Sequence, residues 1–148
     1  MTHSDILKEL NTTLAGEYLT WKQARPHLQW ALDKLNDDLD TVFPDLGDTL
    51  EYTYPDDEDG TTHTGYDYIP DKYIRAVLIN GAAHHFYMVD DEGMTSEVTF
   101  AQEMREGLFK ALRDYSAYIP NKYFKDADLA GSMAFSIEDK VGRRGIWL

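Results

Sequence analysis

The stretch AAHHFYMVDDEGM, residues 82–94, concentrates groups that could do acid–base or metal chemistry: His84 and His85 side by side, then Asp90, Asp91 and Glu92. Imidazole carries protons near neutral pH and ligates transition metals, and carboxylates complete many such sites. The spacing argues against that use here. Neighbours on a helix point about 100° apart, so the pair cannot grip one ion as histidines at i and i+4 do. No H-x-x-x-H or H-E-x-x-H spacing occurs anywhere in the chain. His85 continues an apolar stripe, and Gly81 one turn earlier permits close helix approach, so a core or inter-helix histidine with a hydrogen-bonded ring is expected.

The acidic turn PDDEDG carries Asp56, Asp57, Glu58 and Asp59. A calcium-binding EF-hand loop with Gly60 as its sixth residue would need oxygen donors at Pro55 and Tyr66, so the match fails and a solvated or lumen-facing acidic loop is expected. Ser4, Ser96, Ser116, Ser132 and Ser136 lack a G-x-S-x-G context, and VGRRG lacks the spacing and lysine of a phosphate loop. There are no cysteines, which removes disulfides, thiolate sites and a cysteine nucleophile together. Carboxylate pairs are plentiful, but among 27 acidic residues accidental pairs are expected. These patterns predict no catalytic residue, no metal and no cofactor, hence not an enzyme.

Charge is more informative once located. The net charge is -13, and twelve acidic residues with no lysine or arginine lie between Asp37 and Asp71, leaving -1 for everything else. Such a segment repels a phosphate backbone, so tight nucleic-acid binding is not expected. No stretch approaches the ~18–20 uninterrupted apolar residues of a membrane span, and MTHSDILKEL lacks a secretory layout, so a soluble protein kept in the cell that makes it is expected.

The elements that would position these groups follow from periodicity. Ser4 is placed to cap a first helix with Ile6, Leu7, Leu10 and Leu14 inward, stopped at Gly16. A second helix starts between Thr20, where TWKQ resembles a capping box, and Pro26, and buries Leu28, Ala31, Leu32, Leu35, Leu39 and Val42 before Pro44. Residues 44–69 lose this period and read as a long acidic loop with few core-type residues, which LEYTY and GYDYI can close as a small β-hairpin. A third helix opens at Pro70 with Ile74, Val77, Leu78, Ala82, His85, Met88 and Val89 inward and Gly93 as cap. A fourth, capped by Thr95 or Ser96, carries Val98, Ala101, Met104, Leu108, Ala111, Leu112 and Tyr115 and ends before Pro120. The expected fold is mainly α: a small bundle of about four helices over residues 1–120, with an extended C-terminal tail. Residues 121–148 have no sustained period yet many large apolar groups. Their KVGRRGIWL end either folds back on the chain's own helices or docks on another subunit; the second reading is favoured, and it makes residues 121–148 a docking segment with Arg143, Arg144, Ile146, Trp147 and Leu148 as partner contacts.

Three stretches together resemble the small adaptor proteins of the head-tail connector in tailed bacteriophages: LQWALDKLNDDLDTVFPDL from Leu28, YIPDKYIRAVLINGAAHHFYMVDDEG from Tyr68, and GLFKALRDYSAYIP from Gly107. The resemblance implies a structural virion protein made in the host cytoplasm and placed in the neck between capsid and tail. It implies a ring of twelve copies beneath the portal protein, above a stopper or other tail-side component, lining the DNA channel. By position it makes Arg143, Arg144, Ile146, Trp147 and Leu148 candidate contacts with the portal or a neighbouring copy. The acidic loop is longer than this pattern expects. Two other classes remain in view: a small acidic regulator or DNA mimic that binds a host enzyme, which the clustering of the carboxylates in one segment disfavours, and a metal-dependent hydrolase, which the histidine spacing disfavours.

Overall fold

In the computed structural model of the chain, residues 1–55, 57–90, 106–107 and 110–125 are described, the side chain of Asp90 excepted. The protein is mainly helical. Helix α1 (His3–Thr13) is capped by Thr2, whose side chain accepts from the Asp5 amide, and not by Ser4. The cap moves two residues upstream because the chain before the helix is held in a β-bridge: the His3 amide donates to Thr64 O and the Tyr66 amide to Met1 O. Ala15 and Gly16 end the helix with φ of 58° and 91°, the left-handed turn that glycine accepts most readily.

Helix α2 (Trp21–Leu39) starts at the capping box, with Thr20 and Gln23 each bonding the other's backbone amide. Pro26 therefore sits inside the helix, not in its first turn. Leu28, Ala31, Leu32, Leu35 and Leu39 form the expected buried stripe. Val42 does not join it and is about half exposed, because Asp40 turns the chain into the left-handed region and ends the helical period first.

Strands β1 (Tyr52–Thr53) and β2 (Thr62–His63) pair antiparallel and close the acidic turn as a hairpin; β1 lies in LEYTY as expected, but its partner precedes GYDYI, which was expected to supply it. Helix α3 (Asp71–Tyr73), a π-helical segment (Ile74–Ile79) and helix α4 (Asn80–Asp90) then run on without a break. The π segment corrects the expected stripe. Its wider turn takes in about one extra residue, so positions beyond it lag the α period by one. The lag accounts for Ala83 and Phe86 lying inside where Ala82 and His85 were expected to mark the stripe; Ala82 and His84 are buried as well, while Met88 and Val89, expected inside, are 63% and 51% exposed.

The expected caps Gly93, Thr95 and Ser96, and the stripe positions Val98, Ala101, Met104 and Leu108, lie outside the described residues. Of the last helix, residues 110–116 are described and named α5. Ala111, Leu112 and Tyr115 are buried on it, as their spacing predicted. After Pro120 a single 3-10 turn (Asn121–Tyr123) leads to Phe124, buried and bridged to Thr41. The segment expected to dock elsewhere thus begins with residues packed on this chain.

Candidate functional site

Two places gather polar chemistry: the acidic segment and a histidine cluster between α2 and α4. The acidic segment is not a loose loop. After Asp40 the chain doubles back along α2, and its backbone groups, with no sheet to join, are taken up by side chains of that helix. Asn36 accepts from the Phe43 amide at 3.0 Å and the Thr41 hydroxyl at 2.9 Å, and donates to Phe43 O at 3.2 Å. Gln29 accepts from the Leu46 amide at 2.9 Å, Arg25 donates to Leu46 O and Gly47 O, and the Trp21 indole donates to Gly47 O at 2.9 Å. The backbone of 41–47 is thereby strapped over the length of α2 from residue 36 to residue 21, about 22 Å at the α-helical rise.

The hairpin beyond it is anchored by aromatic rings. Tyr54 and Tyr66 are fully buried, and Tyr54 meets Tyr52, Tyr66, Tyr68 and His63 edge-on at centroid distances of 4.8–6.3 Å. The Tyr66 hydroxyl donates to Pro44 O at 2.7 Å. Leu46 and Ile69 are also in the core, so residues 44–69 contribute core side chains, contrary to the reading of a segment with few of them. Four inward residues spread across this punctuated stretch have no common period by which a sequence could show them.

Of the acidic turn, Asp56 lies outside the described residues, Asp57 is half-buried against His63, and Glu58 and Asp59 are exposed. His63 sits between two carboxylates, its Nε2 bonded to Asp57 and its Nδ1 3.9 Å from Asp67. Asp59 accepts from the Thr61 amide, and its bonds with Thr61 hold its carboxyl below the usual range. Ten of the twelve acidic side chains between Asp37 and Asp71 are exposed, Asp57 is half-buried and Asp56 is not described.

Below the hairpin, His3 is fully buried and stacked on Trp21 with ring centroids 4.6 Å apart. Burial holds its proton affinity below the ordinary value, against smaller pulls from the backbone of Leu50 and Thr49, which lies outside hydrogen-bond geometry. Its ring nitrogens and the Tyr54 hydroxyl are the buried side-chain polar atoms without a hydrogen-bond partner among the described residues.

The histidines of the opening motif face α2, as an inter-helix role requires. His84 is buried beside Trp30 at 5.7 Å. His85 is half-buried, stacks on Trp30 at 4.8 Å and 16°, and brings its Nδ1 to 2.9 Å from His27 Nδ1. The sequence did not reveal His27 as a partner, because it lies 58 residues away and shares no motif spacing. Among the described residues no group of three or more His, Asp or Glu is arranged to hold a metal ion. None of their helices is long and apolar enough to cross a membrane. The candidate contacts Arg143, Arg144, Ile146, Trp147 and Leu148 lie outside the described residues.

No protein-family model, curated protein or solved structure matches this chain.

Proposed function

We propose that this chain is a structural virion protein, an adaptor of the head-tail connector that assembles as a ring between the portal protein and the next neck component. The observation that carries the reading is the exposure of ten carboxylates between Asp37 and Asp71, a stretch without lysine or arginine of its own, whose residues 41–47 are strapped to α2 by Trp21, Arg25, Gln29 and Asn36. A wall facing a DNA channel must not hold phosphates, since each cationic contact adds affinity that slows passage. Fixed carboxylates repel the duplex at short range, and salt screens them beyond ~8–10 Å, so the wall guides without acting at a distance. The sequence resemblance supplies the partners: portal, neighbouring copies and a stopper or tail-side component. The test is whether purified chain forms a ring on purified portal protein, read by native mass and electron microscopy. Ring density beneath the portal is expected, and no association at any concentration overturns the reading.

One observation favours the acidic DNA mimic as a second reading. The exposed carboxylates run from Asp37 to Asp71 and are not confined to the turn at 56–59, and a phosphate mimic needs more than one turn of them. Competition with duplex DNA for a host DNA-binding enzyme distinguishes it, because a connector adaptor gives none.

A further inference from the structure

From burial and packing, and independently of the connector reading, we infer that residues 1–3 form an acid-released latch, held in place at neutral pH by the uncharged, buried ring of His3.

That ring is fully buried and stacked on Trp21 with centroids 4.6 Å apart, yet neither of its nitrogens has a hydrogen-bond partner among the described residues. A phenylalanine would fill the same stack without leaving two polar atoms unpaired, and each such atom costs stability. What imidazole adds at this position is a charge in mild acid. The surroundings do little to hold that charge. Asp67 favours it and His63, from the same hairpin, opposes it, while the backbone of Leu50 and Thr49 lies outside hydrogen-bond geometry. The Met1 amino group is itself paired with Asp71 at 2.9 Å. Burial outweighs the favourable pulls, so the charged ring is more stable outside the stack than in it.

The ring has a short way to go. Residues 1–3 are tied to the hairpin by a β-bridge, in which the His3 amide donates to Thr64 O at 2.8 Å and the Tyr66 amide to Met1 O at 3.0 Å. Gly65 permits that approach, since a Cβ there would collide with Met1 O. Further along α1, Ile6 and Leu10 are fully buried and anchor the rest of the helix. Freeing the ring therefore breaks one bridge and the first turn of α1 with its Thr2 cap, and leaves the remaining core closed. It uncovers the Trp21 face together with Thr64 O and the Tyr66 amide, an unpaired strand edge. The sign follows from proton linkage. Above pH 6.5, the ordinary value for the ring, both forms are neutral and the latch is fully stable. As pH falls below 6.5 the open form takes up a proton that the closed form refuses. The open population then grows by up to about tenfold per pH unit, until the closed form is protonated too.

The test is amide exchange of the full chain, followed by nuclear magnetic resonance from about pH 7.5 to about pH 5, with each rate corrected for its intrinsic pH dependence. Below pH 6.5 the amides of His3 and Tyr66 should lose protection by up to about tenfold per unit, while those of Leu32 and Leu35 in α2 keep theirs. H3F should abolish the acid dependence, with circular dichroism checking its fold, and H63Q should retain it. The ring resonance of His3 in the unmodified chain supplies a reading that needs no variant, because its charging must track the loss of protection. Protection at position 3 and Tyr66 that stays constant over this range, or that falls equally in H3F, overturns the latch. So does its loss together with that of Leu32 and Leu35, which marks unfolding of the whole chain. Abolition of the response in H63Q overturns it as well, by assigning the response to the hairpin histidine.

Discussion

Asn36 and Phe43 hold each other by two hydrogen bonds, the Asn36 amide group donating to Phe43 O at 3.2 Å and the Phe43 amide donating to Asn36 Oδ1 at 3.0 Å. This pairing substitutes one side chain for a missing strand and turns the end of α2 back along its own length. The third bond, from the Thr41 hydroxyl, fixes the turn itself. Asn36→Ala should cost about 2 kcal/mol, the net of three hydrogen bonds with the Phe43 amide left unsatisfied. Chemical denaturation measures it; a change below about 0.5 kcal/mol would mean that the strap contributes little to stability.

Gly47 lies where the strap meets the hairpin, and a Cβ built on it would stand 2.4 Å from Tyr52 Cβ. Neither atom is the free end of a flexible chain, so Gly47→Ala must move backbone and should destabilise by about 1–3 kcal/mol. By contrast Gly60→Ala meets no atom but sits at φ +69°, and its cost comes from backbone strain alone, about 1 kcal/mol. A melting comparison of the two variants should rank Gly47→Ala as the more damaging.

The buried titratable groups set the pH range of stability. His3 has its proton affinity lowered by burial, so stability is full above the unfolded value of 6.5 and falls as pH drops below it. His3→Phe should flatten that acid limb while keeping the stack on Trp21. Tyr54 and Tyr66 are raised by burial, and Tyr115 is pushed up to about 12, chiefly by burial. Their contribution is full below pH 10 and is lost as pH rises from 10 towards 12 and beyond. Tyr115→Phe should reduce that alkaline slope, as melting curves from pH 9 to 12 would show.

Met88 tests the π segment. An uninterrupted α period would bury it, whereas the structure leaves it 63% exposed. Met88→Lys should therefore change stability by no more than about 0.5 kcal/mol, and Phe86→Ala should cost about 3–5 kcal/mol. The reverse ranking would restore the α register.

The parts legible in the sequence were those with a sustained local period: α1, the capping box and stripe of α2, Pro70 ahead of α3, and Ala111, Leu112 and Tyr115 on α5. What escaped was non-local. The strap depends on Trp21, Arg25, Gln29 and Asn36 as hydrogen-bonding groups, and polar residues on a helix read from sequence as its solvent face. The π segment leaves no compositional mark in IRAVLI, so the one-residue lag that brings Ala83 and Phe86 inside could not be anticipated. His27 and His85 meet because two helices pack, and no spacing rule spans 58 residues. The acidic segment was found by charge, but its tyrosine core was hidden among turn residues.

The measurement that bears most directly on the connector reading is binding to purified portal or DNA-filled capsids, comparing the intact chain with one truncated after Lys140. The truncation removes Arg143, Arg144, Ile146, Trp147 and Leu148, of which Trp147 alone can bury ~150–250 Å² on a partner. The account predicts that the intact chain attaches and forms a ring, while the truncated chain keeps its helical circular dichroism and does neither. Equal attachment of both would contradict the docking role of the tail, and attachment of neither to any capsid component would contradict the connector reading itself.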